Sequence, residues 1–176
     1  MQLRIFKGFG DFAKAFDEEE TNDVSATVQE ILASVRKNGD SALREYTERF
    51  DQVIPESWLV PKSALEEALE GLDHDLFHIL EEAADNIMFF HDRQKTDSQL
   101  DFSPDGTVLG WKVTPVDSVG IYIPGCRAVY PSTLLMNVIP AQVAGVSRIA
   151  MVSPPGTSGL PHQLVMASAA LMGLEE

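Results

Sequence analysis

Apolar residues recur at helical spacing through the first half of the chain. Val24, Val28, Ile31, Leu32 and Val35 fall on one face of a helix that Asn22 or Asp23 is placed to cap, and Gly39 follows as its stop. Asp40 is placed to cap a second helix with a Leu43, Tyr46 and Phe50 stripe. After Pro55 and Pro61, Ser63 and Glu66 have capping-box spacing, and Leu65, Ala68, Leu69 and Leu72 make a buried face. A longer helix is predicted next, with Leu76, Ile79, Leu80, Ala83, Ile87 and Phe90 inward. The opening residues, with Leu3 and Ile5, read as extended.

The periodicity changes near residue 97. SPDG at 103–106 has the composition of a turn, and VLGWKV at 108–113 reads as the returning strand of a hairpin near 100–114. From residue 118 the pattern is strand–helix–strand–helix. A short apolar strand at 119–123 precedes a helix opened by Pro131, where Ser132 and Thr133 offer a capping hydroxyl. Pro140 is positioned to bend that helix and Gly145 to end it. A second strand at 148–152 stops at Pro154 and Pro155, and a last helix runs from about His162 to Met172. Two apolar strands joined by a crossover helix predict a parallel, buried sheet in an α/β fold. Two strands do not complete such a sheet, and a third is expected to start at 174–176, as in the front part of a longer protein. The predicted organisation is a helical region over 1–117, including the hairpin, and an α/β unit over 118–176.

Charge narrows the function classes. The 176 residues carry 27 acidic and 13 basic side chains, a net charge of −14. Residues 1–100 hold 22 acids and 10 bases, and the rest hold 5 and 3. With no basic cluster, the chain is not expected to bind nucleic acid or an anionic membrane. No apolar run reaches the ~20 residues of a membrane span. The start lacks a signal-peptide core, and a single cysteine, Cys126, excludes a disulfide framework. A cytoplasmic location is the expectation.

Candidate chemistry concentrates in GIYIPGCRAVYPST at 120–133. A strand that ends in Pro124 and Gly125 and leads to a helix start puts backbone amides at the carboxyl edge of a sheet, where anionic ligands bind. The spacing is neither GxGxxG nor a P-loop, and an ordinary strand-to-helix connection accounts for the same residues. Tyr122, two residues before the loop, is either core or a ligand contact, and Arg127 either meets a phosphate or stays solvated. His74 and His78 stand at i, i+4 with Glu82 one step on, but Asp75, Glu81 and Asp85 make this read as a solvated acidic face. His91 and His162 have no ligand partners by spacing, and Cys126 has no catalytic partner. The spacing yields no complete catalytic or metal constellation.

Two blocks carry a wider resemblance: VRKNGDSALREYTERFD at 35–51, and SVGIYIPG at 118–125 with YPSTLLMNVIPAQVAG at 130–145 and VSPP at 152–155. From about residue 24 onward the sequence resembles the histidinol dehydrogenases. The resemblance implies a zinc- and NAD-dependent oxidoreductase of histidine biosynthesis, which oxidises L-histidinol through the aldehyde to L-histidine. It also implies Rossmann-like α/β domains in an intertwined homodimer, so that residues 118–176 begin an NAD-binding domain and form an incomplete Rossmann-like parallel β-α-β-α unit. Tyr122 matches the family's NAD-contacting tyrosine, and Pro124 and Gly125 match the loop beside the cofactor. The family usually has a second glycine where Cys126 stands. Its zinc-binding Gln, His, Asp and His and its Glu-His acid/base pair lie downstream of residue 176. None of His74, His78, His91 or His162 matches them, so no catalytic or metal residue is assigned here and the segment alone is expected to be inactive. The competing expectation is a noncatalytic acidic α/β module whose helices or open sheet edge bind a partner chain.

Overall fold

A computed structural model describes residues 24–125 and 129–176. The chain divides into two compact units, 1–46 and 47–176, each described by itself.

The described part of the first unit is helical. Helix α1, Ser25–Asn38, ends where Gly39 takes φ +58° and returns its amide to the Val35 carbonyl. Helix α2, Asp40–Asp51, follows at once, and the division between the units falls within it. Asp40 is the first helical residue of α2 rather than its cap, so it acts on the helix dipole as an acid in the first turn. The apolar stripe of α1 is not buried: Val24, Val28 and Leu32 are exposed, as are Leu43 and Phe50 of α2, where the buried residue is Ala42. Helical spacing decides which residues share a face, not how far that face is buried.

The second unit holds the core. Helix α3, Lys62–Glu70, and helix α4, His74–Asp92, pack with the parallel unit that follows the hairpin. The predicted capping box at Ser63 does not form. Pro61 occupies the cap position at φ −61°, ψ 141°, and its carbonyl accepts the amides of Ala64 and Leu65, which leaves Ser63 inside the helix. Asp73 does cap α4, accepting from the Asp75 and Leu76 amides at 3.0 and 3.2 Å. The buried seam of α4 runs through Leu80 and Ala84, with Ala83 and Ile87 packed beside it. Ile79 and Phe90, expected inward, are exposed; Ile79 lies about 100° around the helix from Leu80 and misses the seam.

Strands β1, Gln99–Phe102, and β2, Val108–Trp111, form the expected antiparallel hairpin. Strands β3, Ser118–Tyr122, and β4, Arg148–Val152, are parallel, with Gly120 beside Ala150 and Tyr122 beside Val152. The crossover is helix α5, Pro131–Ala144, which continues through Pro140 and ends where Gly145 adopts the left-handed conformation at φ +86°. Pro131 fills the first helical position, so neither Ser132 nor Thr133 caps the helix. Helix α6, Gln163–Leu171, closes the unit, capped by His162, whose Nδ1 accepts the Leu164 amide at 3.1 Å.

Leu134, Leu135, Val138 and Ile139 of α5 pack with Ile121 and Ile123 and with Val165, Met166 and Ala169 of α6. Full burial of each aliphatic side chain is worth about 1.5–3 kcal/mol. Two polar side chains at this core are satisfied: Ser168 donates to the Leu164 carbonyl at 2.8 Å and Gln142 to the Met172 carbonyl at 2.8 Å. The third strand expected at 174–176 is not formed among the described residues; a single bond stands there, from Met151 N–H to the Glu176 carbonyl at 2.9 Å.

Candidate functional site at the carboxyl edge of the parallel sheet

Alternation in β3 separates two faces. Val119 and Ile121 point into the helical layer, while Gly120 and Tyr122 point to the opposite, open face. Tyr122 is 63% exposed, and its ladder neighbour Val152 is exposed as well. Within this chain the Tyr122 side chain is therefore not part of the described core. Gly120 has no atom within 4 Å of the position a Cβ would take, so packing within this chain does not demand glycine there.

The ladder runs one residue past the strands, where the Ile123 amide donates to the Val152 carbonyl at 2.9 Å. Ile123 is fully buried and anchors the loop that leaves the sheet. Pro124 and Gly125 follow, half-buried. A Cβ on Gly125 would stand 3.1 Å from the Ser153 hydroxyl, so this glycine does fit a tight place. Ser153 Oγ is buried and has no hydrogen-bond partner among the described residues. Sequence reasoning gave Ser153 no role; its signal was its place directly after β4, at the same edge as Gly125. Cys126 and Arg127 lie outside the described residues. The chain re-enters through Val129 and Tyr130, and α5 begins without a side-chain cap. An aromatic ring, a close loop and a helix start thus meet at one sheet edge, the arrangement that receives dinucleotides in open α/β sheets.

The other candidates lie elsewhere. His91 hydrogen-bonds through Nδ1 to Gln94 at 2.7 Å, and His162 serves as the α6 cap. The carboxylate that reaches His78 is Glu81, at 3.0 Å, rather than Glu82. No three His, Cys, Asp or Glu side chains converge as a metal centre among the described residues. The resolved charge pairing sits at the amino end of β4. Arg148 Nε donates to both Glu176 carboxylate oxygens at 2.9 and 3.1 Å, holding that carboxyl below its usual range and the guanidinium above its own. A cavity of about 630 Å³ lies between residues 53–64 and the turn at 157–160, lined by Val53, Ile54, Leu59 and Leu160. It holds one ionisable side chain, Glu56, and no donor set for chemistry. No helix among the described residues is long and apolar enough to cross a membrane.

The family model described as histidinol dehydrogenase matches residues 15–176. The histidinol dehydrogenase of Geobacillus kaustophilus is 47% identical over 159 residues, spanning 90% of this chain and 38% of that protein. The enzyme of that name from Bacillus subtilis is 46% identical over 156 residues, covering 89% of this chain and 36% of the relative. A crystal structure of histidinol dehydrogenase from Elizabethkingia anophelis superposes with a TM-score of 0.86 at 28% identity, over all of this chain and 41% of the other. The chain thus spans about 40% of the length of the relatives it matches, corresponding to their amino-terminal part. A match that runs through both units and keeps the fold leaves one assignment: the chain belongs to the histidinol dehydrogenase family.

Proposed function

We propose that this chain supplies the amino-terminal part of an NAD-dependent histidinol dehydrogenase, with residues 118–176 beginning its cofactor domain. The observation that carries the reading is Tyr122. It is a large aromatic side chain left exposed at the carboxyl end of a parallel strand, in a chain of this family. The residues fit a dinucleotide. Gly125 occupies a place that a Cβ would crowd, and the buried hydroxyl of Ser153 beside it has a free hydrogen-bonding capacity.

In this reading Tyr122 offers its ring face and hydroxyl to NAD, and Pro124 and Gly125 let the loop backbone approach it. The uncapped start of α5 presents its first amides and the positive end of its dipole toward the same edge. When bound, NAD supplies the nicotinamide that accepts hydride from the alcohol and then from the aldehyde. This chain's contribution is binding and orientation. The zinc implied by the resemblance does not fit the groups present, because no three-ligand cluster exists among the described residues. No step is assigned to zinc here, and no residue of this chain is assigned as acid or base. A cytoplasmic homodimer acting on L-histidinol follows from the family likeness.

A fusion tests the reading. Joined in frame to the remainder of the Geobacillus kaustophilus relative, the segment should give NADH from histidinol and NAD. The 176-residue chain alone, with histidinol, NAD and zinc, should give none above background. Turnover by the chain alone would contradict the division of labour, and a folded but inactive fusion would count against the cofactor role.

A further inference from the structure

We propose that His74 and His78 form a two-imidazole chelating site for a divalent transition-metal ion on the exposed side of α4. The two residues lie one turn apart, so their rings meet edge to face on the same side of the helix, with His78 Nε2 3.2 Å from His74 Nε2. Two nitrogens bound to one metal ion at about 2.0–2.1 Å stand roughly 2.8–3.4 Å apart for bond angles between square and tetrahedral. The observed separation lies within that range, and both side chains are exposed, so an ion can enter without disturbing the core.

The neighbouring carboxylates set the tautomers. His78 Nδ1 lies 3.0 Å from Glu81 Oε2, so Nδ1 carries the proton and donates, leaving the Nε2 lone pair outward. In the metal-free chain, His74 Nε2–H then donates to His78 Nε2. A bound cation takes the place of that shared proton. His74 moves its proton from Nε2 to Nδ1, which faces the Asp75 carboxylate at 3.9 Å. The acids Asp73, Asp75, Glu81, Glu82 and Asp85 around this face attract a cation. With no third protein ligand among the described residues, water completes the shell and the ion exchanges readily. Imidazole ligation selects Cu²⁺, Ni²⁺ and Zn²⁺ over Mg²⁺ and Ca²⁺, with Cu²⁺ bound most tightly.

Calorimetric titration of Ni²⁺ into the untagged 176-residue chain tests the site. One saturable site per chain is expected, weakened at least tenfold by His74→Ala and by His78→Ala, and unchanged by His91→Gln. In ¹H–¹⁵N spectra of the unaltered chain, substoichiometric Ni²⁺ should broaden amide signals first around residues 74–82, a readout that stands even where a variant folds poorly. Absence of saturable binding, retained affinity in a folded His78→Ala variant, or broadening centred elsewhere would overturn the proposal.

Discussion

The described residues form two sheets of two strands each, and they differ in what covers them. The hairpin β1–β2 is exposed at every position, including Phe102 at 75% and Leu109 at 66%. The parallel pair β3–β4 is covered on one face by α5 and α6, and Ile123 at its edge is fully enclosed. The difference in cover follows the crossover, which a parallel connection requires and a hairpin turn does not. The helix that makes the strands parallel also buries them. It covers one face, and the candidate site occupies the carboxyl edge of the other.

The largest expected effect breaks the parallel pair. Leu134→Ala or Ile123→Ala should cost about 2–5 kcal/mol, read by denaturant unfolding, because each leaves a cavity in a closed core. Leu109→Ala in the hairpin should change stability by no more than about 0.5 kcal/mol. A comparable loss at Leu109 would mean that the hairpin is covered in solution. The next test uncouples the sheets. A Cβ at Gly110 would overlap the Gln99 carbonyl oxygen. Gly110→Ala should therefore abolish slow hydrogen exchange in the hairpin while leaving that of α5 and α6 intact.

Much of this contrast was legible in the sequence. The turn at 103–106, the strands near 119–123 and 148–152, and the stop at Gly145 each rest on local stereochemistry that neighbours do not override. Caps were less legible. Pro61 and Pro131, with their fixed φ and missing N–H, took the positions that displaced Ser63, Ser132 and Thr133 from capping. Burial was less legible than periodicity: Leu65 and Leu80 are buried, whereas Val28 and Ile79, each at helical spacing with apolar neighbours, are exposed. At the candidate site, Tyr122 was legible from its position before the loop. Ser153 was not, because its closeness to Gly125 depends on the ladder between β3 and β4.

Smaller effects sharpen the edge itself. Gly125→Ala should destabilise by about 1 kcal/mol through its crowding of Ser153 Oγ, and Ser153→Ala should recover much of that loss in the double variant. Ser153→Ala alone should be neutral or slightly stabilising, since the buried hydroxyl has no partner among the described residues. The smallest effect is the Arg148–Glu176 pair. Folding lowers the Glu176 carboxyl below its ordinary 4.5, so the pair's stabilisation is present above that value and lost as pH falls through the lowered one. Glu176→Gln should therefore be slightly less stable than the unaltered chain at neutral pH, and the difference should close in acid.

The central claim is that the open face and carboxyl edge of the parallel pair, with Tyr122, form part of an NAD pocket. Tyr122→Ala in the fusion enzyme, with KM for NAD, KM for histidinol and the melting temperature measured together, tests it most directly. The account predicts a 5- to 30-fold rise in KM for NAD, equivalent to roughly 1–2 kcal/mol, with little change in KM for histidinol or in melting temperature. An unchanged KM for NAD beside a large drop in melting temperature would contradict it.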